Sequence, residues 1–208
     1  MNKELKQKAY QVLIDSLDVT EFEEYLYKLV DDNELKSNSL LFDFVNIDYK
    51  SGSYKDRLLN IIKSYCSEEE LLSLEVYSFC LILSTSKGEK IILNSINSLS
   101  GLNVESDYQY DMLCEFYRLE ETILGNEFYY HSLTKEEIII KAKLFSEKVI
   151  SKFNFYKEKE DWSGFLNCII EKEEIESEVK ISSYIPIKQN ESLFSSTINL
   201  LKGMLRLK

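Results

Sequence analysis

The sequence predicts an all-α protein folded as a single domain of about eight helices. The first observation is composition, since 208 residues include only one proline and six glycines, which favours long helices and short connections. The second is apolar spacing of three and four residues along most of the chain. The third is a set of capping boxes, Thr20 with Glu23, Ser67 with Glu70, Ser106 with Gln109 and Thr134 with Glu137. We expect antiparallel helix pairs packed as a bundle or a short curved array.

The apolar pattern fixes where the helices should lie. The predicted helices span residues 4–17, 20–30, 37–47, 54–65, 67–83, 91–99, 106–124, 134–153 and 193–205. The helix at 91–99 should stop at Ser100-Gly101, because glycine suits a left-handed C-terminal turn. Residues 154–190 are less regular, and residues 179–187 around Pro186 look extended.

One helix should form the buried middle of the domain. Residues 71–83 are apolar nearly all the way round a helix, with Leu72, Val76 and Phe79 among them. A helix without a continuous polar face is normally covered on several sides. We therefore expect the other helices to surround this one.

Residues 20–65 contain a recognisable series of short sequence motifs. Phe22-Glu23-Glu24-Tyr25-Leu26-Tyr27 is followed by Leu40-Leu41-Phe42-Asp43-Phe44, Asp48-Tyr49-Lys50 and Leu58-Leu59-Asn60-Ile61-Ile62. This stretch resembles small helical immunity proteins of bacterial polymorphic-toxin systems, with Tyr25 where that family has tryptophan. The resemblance covers about the first third of the chain. It implies an α-helical fold and a role in neutralising a toxin, although Phe22, Tyr25 and Leu26 also fit ordinary core positions.

The charge balance narrows the classes of partner. The formal net charge is -11, from 36 acidic and 25 basic residues. Such a chain repels phosphate backbones, so we expect no nucleic-acid binding. A cationic protein would be attracted over long range, which raises its association rate. Simple solubility explains the same charge.

The residues needed for common chemistry are scarce. His131 is the only histidine, and the four cysteines have neither zinc-site nor C-x-x-C spacing. No glycine cluster forms a phosphate-binding loop. Acidic pairs such as Glu171 with Glu174 have helical spacing, which a solvated face also explains. We therefore expect no cofactor, no metal and no catalytic residue, and interpret the chain as not an enzyme.

Acidic and aromatic side chains supply the candidate partner-binding residues. Carboxylates can pair with lysine and arginine of a basic partner, and tyrosine and tryptophan are common interface anchors. If residues 106–124 are one helix, Asp107, Asp111 and Glu115 share one stripe. Trp162 has an alternative role as a core anchor of the C-terminal region. The candidates form two clusters: Asp107, Tyr108, Tyr110, Asp111 and Glu115, and then Glu160, Asp161 and Trp162.

The expected compartment is the cytoplasm. Residues 1–6 lack the apolar stretch of a signal peptide, and no apolar run approaches 18 residues, so we expect no membrane segment. The function predicted from these observations is a non-catalytic immunity protein that binds and neutralises a cognate, basic protein toxin. The alternatives are a helical scaffold or adaptor without a toxin partner and, less favoured, an enzyme that uses carboxylates alone.

Overall fold

The computed structural model describes residues 2–31, 38–125 and 133–170, which form nine α-helices and no strand. The all-α prediction is confirmed for this part of the chain. The predicted extended segment at 179–187, the helix at 193–205 and His131 lie outside the described residues. The helices are α1 Asn2–Leu13, α2 Val19–Asp31, α3 Ser39–Val45, α4 Tyr54–Tyr65, α5 Glu68–Thr85, α6 Glu89–Glu105, α7 Asp111–Ile123, α8 Lys135–Lys159 and α9 Trp162–Leu166.

Two predicted capping boxes lie where the structure starts a helix. The Ser67 hydroxyl accepts a hydrogen bond from the Glu70 amide at 3.1 Å, which starts α5. At α8 the box is complete: the Thr134 hydroxyl accepts from the Glu137 amide, and the Thr134 amide donates to the Glu137 carboxylate at 2.8 Å. These side chains satisfy amides that have no partner inside the helix.

Two predicted helix starts were wrong. Helix α2 begins at Val19, and the carboxylate of Asp18, rather than Thr20, sits at its start and accepts from the Thr20 amide at 2.7 Å. Helix α7 begins at Asp111 rather than after Ser106. The Ser106 hydroxyl instead donates to the Asn103 carbonyl, which keeps it on the preceding helix.

Three predicted helix ends were also wrong. Helix α1 ends at Leu13 rather than at 17, and Asp15 beyond it takes a left-handed conformation. In α6, buried apolar contacts carry the helix past its predicted end. Helix α6 continues through Gly101 to Glu105, with Leu99 and Leu102 buried on either side of the glycine. Helix α8 extends to Lys159, six residues beyond the predicted end at 153. Its last turn carries Lys157 and Lys159, and cations there are favoured by the helix dipole.

Helix α5 is the centre of the fold, as predicted. It contacts α1 and α4 from the N-terminal part of the chain and α6, α8 and α9 from the other. Its packing against α8 is antiparallel, since Tyr77 stacks on Phe153 whereas Ser86, nine residues later, accepts a hydrogen bond from Lys143. Helix α6 is antiparallel to α5 as well, because its C-terminal end shares a groove with the first turns of α5. One continuous apolar core runs through all nine helices described here.

The N-terminal string that carries the family resemblance packs into this core. The Phe22 ring makes edge contacts with Phe44 and Tyr49, at centroid distances of 5.9 and 6.0 Å. The Tyr49 hydroxyl donates to the Phe44 carbonyl at 3.0 Å. These three residues pack α2, α3 and the loop before α4 against one another, so their role here is in packing.

Candidate functional site

A groove of about 450 Å³ lies between the first turns of α5 and the C-terminal end of α6. Four glutamates line it: Glu68, Glu69 and Glu75 from α5, and Glu105 from α6. The rest of its wall is Leu72, Leu102, Ser106, Gln109 and Tyr110. We call this feature the acidic groove.

The helical spacing of residues in α5 places its glutamates along the groove. Glu68, Leu72 and Glu75 are spaced i, i+4 and i+7, so they share one face of the helix. The Ser67 cap begins the helix immediately before Glu68. Glu68 and Glu69 therefore occupy the first turn, where unpaired backbone amides stabilise negative charge.

The surroundings of Glu75 raise the pKa of its carboxyl group. Burial raises its pKa above the usual value of 4.5, a hydrogen bond from the Tyr10 hydroxyl lowers it, the negative charge of Glu105 raises it, and Lys63 lowers it slightly. Burial and the neighbouring Glu75 carboxylate raise the pKa of Tyr10 in turn. The groove therefore contains a half-buried carboxylate that nearby negative charge destabilises.

The turn between α6 and α7 forms one rim of the acidic groove. Asp107 and Tyr108 both adopt left-handed backbone conformations, with φ of 53° and 57°. Such angles are uncommon for residues other than glycine, and least favourable for a bulky side chain. The Tyr108 ring lies against Tyr117 at 5.6 Å, and its carbonyl accepts from the Cys114 thiol at 3.9 Å. The turn thus holds an exposed tyrosine whose ring packs on α7.

The structure separates the first predicted cluster into surface and core. Asp107, Tyr108 and Asp111 are exposed, whereas Tyr110 is buried and lines the groove with part of its surface. Glu115 is fully buried, so it is not a surface carboxylate and its place among the partner-binding candidates was wrong. The predicted stripe fails because the left-handed turn interrupts the helix between Asp107 and Asp111.

Glu115 instead belongs to a buried ion pair between α7 and α8. Its Oε1 lies 3.4 Å from the Lys141 ammonium, and its Oε2 lies 3.4 Å from the Arg118 guanidinium. The side chains of Glu115 and Lys141 are 0% and 2% exposed. The pair therefore links α7 to α8 inside the core.

The second predicted cluster has structural roles at the junction of α8 and α9. Glu160 takes a left-handed conformation that ends α8, and its carboxylate lies 3.3 Å from the Lys3 ammonium. Asp161 caps α9 by accepting from the Gly164 amide at 2.9 Å. Trp162 is half-buried and packs on Phe153 at a centroid distance of 5.8 Å. This junction contacts α5 and α8, whereas the acidic groove lies between α5 and α6.

The sequence patterns missed the four groove glutamates as a group. Glu68 and Glu69 were visible as an acidic first turn after Ser67, and Glu75 has the seven-residue spacing of a shared helix face. Glu105 is assigned to the groove only by the antiparallel packing of α6 on α5, which spacing in the chain does not reveal.

Comparisons with known proteins found no match, whether to protein families, to curated proteins or to solved structures. Among the residues described, no group of three or more histidine, cysteine, aspartate or glutamate side chains is arranged to hold a metal ion. Within the same ranges, no helix combines the length and the hydrophobicity needed to cross a bilayer.

Proposed function

We propose that this chain is a non-catalytic immunity protein that binds a cognate toxin effector and neutralises it through the acidic groove. The observation that carries the proposal is the convergence of four glutamates on one groove of about 450 Å³. The choice of a toxin as the partner rests on the resemblance of residues 20–65 to polymorphic-toxin immunity proteins.

The groove has negative charge available for a partner. Within the described ranges, the carboxylates of Glu68, Glu69, Glu75 and Glu105 form no ion pair with a lysine or arginine of this chain. A lysine or arginine entering the groove would meet several carboxylates at once. Charge-assisted hydrogen bonds are about twice as strong as neutral ones.

The long-range field favours the same class of partner. The chain has a net charge of -11, which attracts a basic protein from a distance and raises its association rate. Tyr108 lies between the groove-lining residues Ser106 and Gln109 in the chain and is 53% exposed, so its ring is accessible to a partner. Desolvated aromatic anchors next to charged contacts are typical of strong interface positions.

Coexpression with the product of the adjacent upstream gene tests the proposal. We expect that product to inhibit growth, this chain to restore growth, and the two proteins to copurify. Failure of both rescue and copurification overturns the proposal. Copurification with a partner that does not inhibit growth would favour the scaffold or adaptor function instead.

Charge-matched variants then test the groove itself. Replacing Glu75 and Glu105 by glutamine should weaken toxin binding by about tenfold or more, equivalent to about 1.4 kcal/mol. The control replaces Glu21 and Glu24 by glutamine, which removes the same charge from an exposed face of α2. Equal effects of the two pairs would show that net charge, and not the groove, attracts the toxin.

A further inference from the structure

Helix α6 has an uncharged outer face in a strongly acidic chain. Residues 91–104 contain no aspartate, glutamate, lysine or arginine, although the chain has a net charge of -11. One side of this helix is buried and contains Ile92, Ile96 and Leu99. The opposite side is exposed or half-buried, and we call it the outer α6 face. It consists of Lys90, Ile91, Asn94, Asn97, Ser98, Gly101, Val104 and Glu105.

The outer α6 face is open to another helix. Ile91 near one end is 51% exposed, and Val104 near the other end is 48% exposed. A Cβ atom added at Gly101 would meet no neighbouring atom of the described residues within 4 Å. The distance between packed helices depends on the side chains at the contact, so a glycine on an open face permits a close approach.

This face is complementary to itself when a second copy is turned by 180°. If the rotation axis passes between Asn97 and Ser98, the two α6 helices run antiparallel, and residues at equal distances from the axis lie opposite each other. Ile91 of one copy then meets Val104 of the other, and Lys90 of one copy meets Glu105 of the other. Such self-complementarity is what a twofold-symmetric interface requires.

Lys90 and Glu105 are available for pairing between two copies. Fifteen residues separate them on α6, which is about 22 Å along the helix axis, so they do not reach each other within one chain. In residues 2–31, 38–125 and 133–170, neither side chain forms an ion pair. Two copies with a net charge of -11 each repel one another, and an uncharged face between two opposite-charge pairs keeps this repulsion small.

We propose that the partner of the outer α6 face is a second copy of this chain, bound through α6 in antiparallel orientation about a twofold axis. This inference goes beyond the proposed function and does not depend on it. The face is about 22 Å long and a helix is about 10 Å wide, so the contact is smaller than the roughly 800 Å² per partner of a standard interface. We therefore expect a weak dimer, with a dissociation constant of about 10–100 µM.

Sedimentation equilibrium of the full chain from about 5 to 300 µM tests for this dimer. The wild type should pass from the monomer mass towards twice that mass over this range. Gly101→Arg should weaken the dimer by about tenfold or more, because it places a large charged side chain at the centre of the contact. Gly52→Arg is the matched control, since Gly52 is also exposed, with no neighbouring atom of the described residues within 4 Å of an added Cβ.

Charge reversal tests the antiparallel pairing. Lys90→Glu and Glu105→Lys should each weaken the dimer by about threefold or more, because each places like charges opposite one another. The variant with both changes should regain the wild-type dissociation constant. Net charge alone predicts a different result: Lys90→Glu makes the chain more negative and weakens the dimer, whereas Glu105→Lys makes it less negative and strengthens it.

Three results would overturn the proposal. They are a wild type that stays monomeric at about 300 µM, equal effects of Gly101→Arg and Gly52→Arg, and a double charge variant that dimerises no better than the single variants. Circular dichroism checks the fold, and Gly101→Arg should retain it because arginine has a higher helix propensity than glycine. Lys90 and Gly101 do not line the acidic groove, so their variants should leave toxin binding unchanged. Loss of the dimer and loss of the proposed function are therefore distinguishable.

Discussion

Replacing Glu115 by leucine should destabilise the protein strongly, because it leaves the Lys141 ammonium in the core without this carboxylate. The two charges are 3.4 Å apart and their side chains are 0% and 2% exposed. At an effective dielectric constant of about 20 their attraction is about 5 kcal/mol, which the cost of removing both ions from water largely offsets. Breaking such a pair from one side costs about 3–5 kcal/mol, whereas replacing both partners is near neutral.

The geometry also predicts an asymmetry between the two partners. In Lys141→Met, Glu115 retains Arg118 at 3.4 Å, so the expected loss is smaller, about 2–3 kcal/mol. In the double variant Glu115→Leu with Lys141→Met, both charges are gone and stability should return to within about 1 kcal/mol of the wild type. Arg118→Met serves as the control, because the Arg118 side chain is 38% exposed and such partly exposed pairs contribute about 0–1 kcal/mol.

Urea unfolding followed by circular dichroism measures all four variants and gives the free energy of unfolding of each. Glu115→Leu should also lower the melting temperature by about 6–20 °C for a chain of this size. A loss below about 1 kcal/mol for Glu115→Leu would refute the reasoning, since Glu115 would then be an ordinary surface carboxylate. A double variant as unstable as the sum of the single variants would refute the pairing.

Three further predictions concern the groove, a thiol and the core. Because the pKa of Glu75 is raised in the folded protein, its ionisation lowers stability as the pH rises from the usual 4.5 through the raised pKa. Glu75→Gln should therefore raise the melting temperature at pH 7.5 and lose that gain towards pH 4, and a gain independent of pH would contradict this. Burial raises the pKa of Cys80 to about 12, so brief alkylation at pH 8 should spare it in the native protein and modify it after denaturation, as read by mass spectrometry. Labelling of Cys80 at equal rates in both states would disprove its burial. Phe153→Ala should cost about 3–5 kcal/mol in urea unfolding and shift the emission of Trp162, the only tryptophan, to longer wavelength, because the Phe153 ring packs against both Tyr77 and Trp162. Unchanged emission would show that the indole does not depend on this contact.

The sequence predicted a helix start correctly where a capping residue directly precedes a run of apolar residues with helical spacing. The starts of α5 and α8 follow from Ser67 and Thr134, whose side chains act within three residues. The end of α6 could not be predicted from the sequence. Gly101 is a local signal for the end of a helix, but the helix continues because Leu102 is buried in the core. Tertiary burial decided that boundary.

The binding candidates were harder to predict for the same reason. Glu115 and Asp111 have the helical spacing of one acidic stripe, yet one is buried against Lys141 and the other is exposed. Which side of a helix is buried depends on the helices that pack against it. The spacing within α7 does not show that α8 covers the side that carries Glu115. The acidic groove likewise exists only once α6 has folded back along α5.

The position of α5 has a consequence for the integrity of the whole molecule. Helices α1 and α4 pack on one part of α5, and helices α6, α8 and α9 pack on the rest of it. Neither group of helices forms a complete hydrophobic core without α5. If the loop before Glu68 is cut and the two fragments separate, the upstream helices expose the apolar face that packs on α5, and the downstream helices lose their contacts with α1 and α4. Such an arrangement favours loss of structure in a single step, in which a destabilising change in α5 weakens the packing of the described helices on both sides of it.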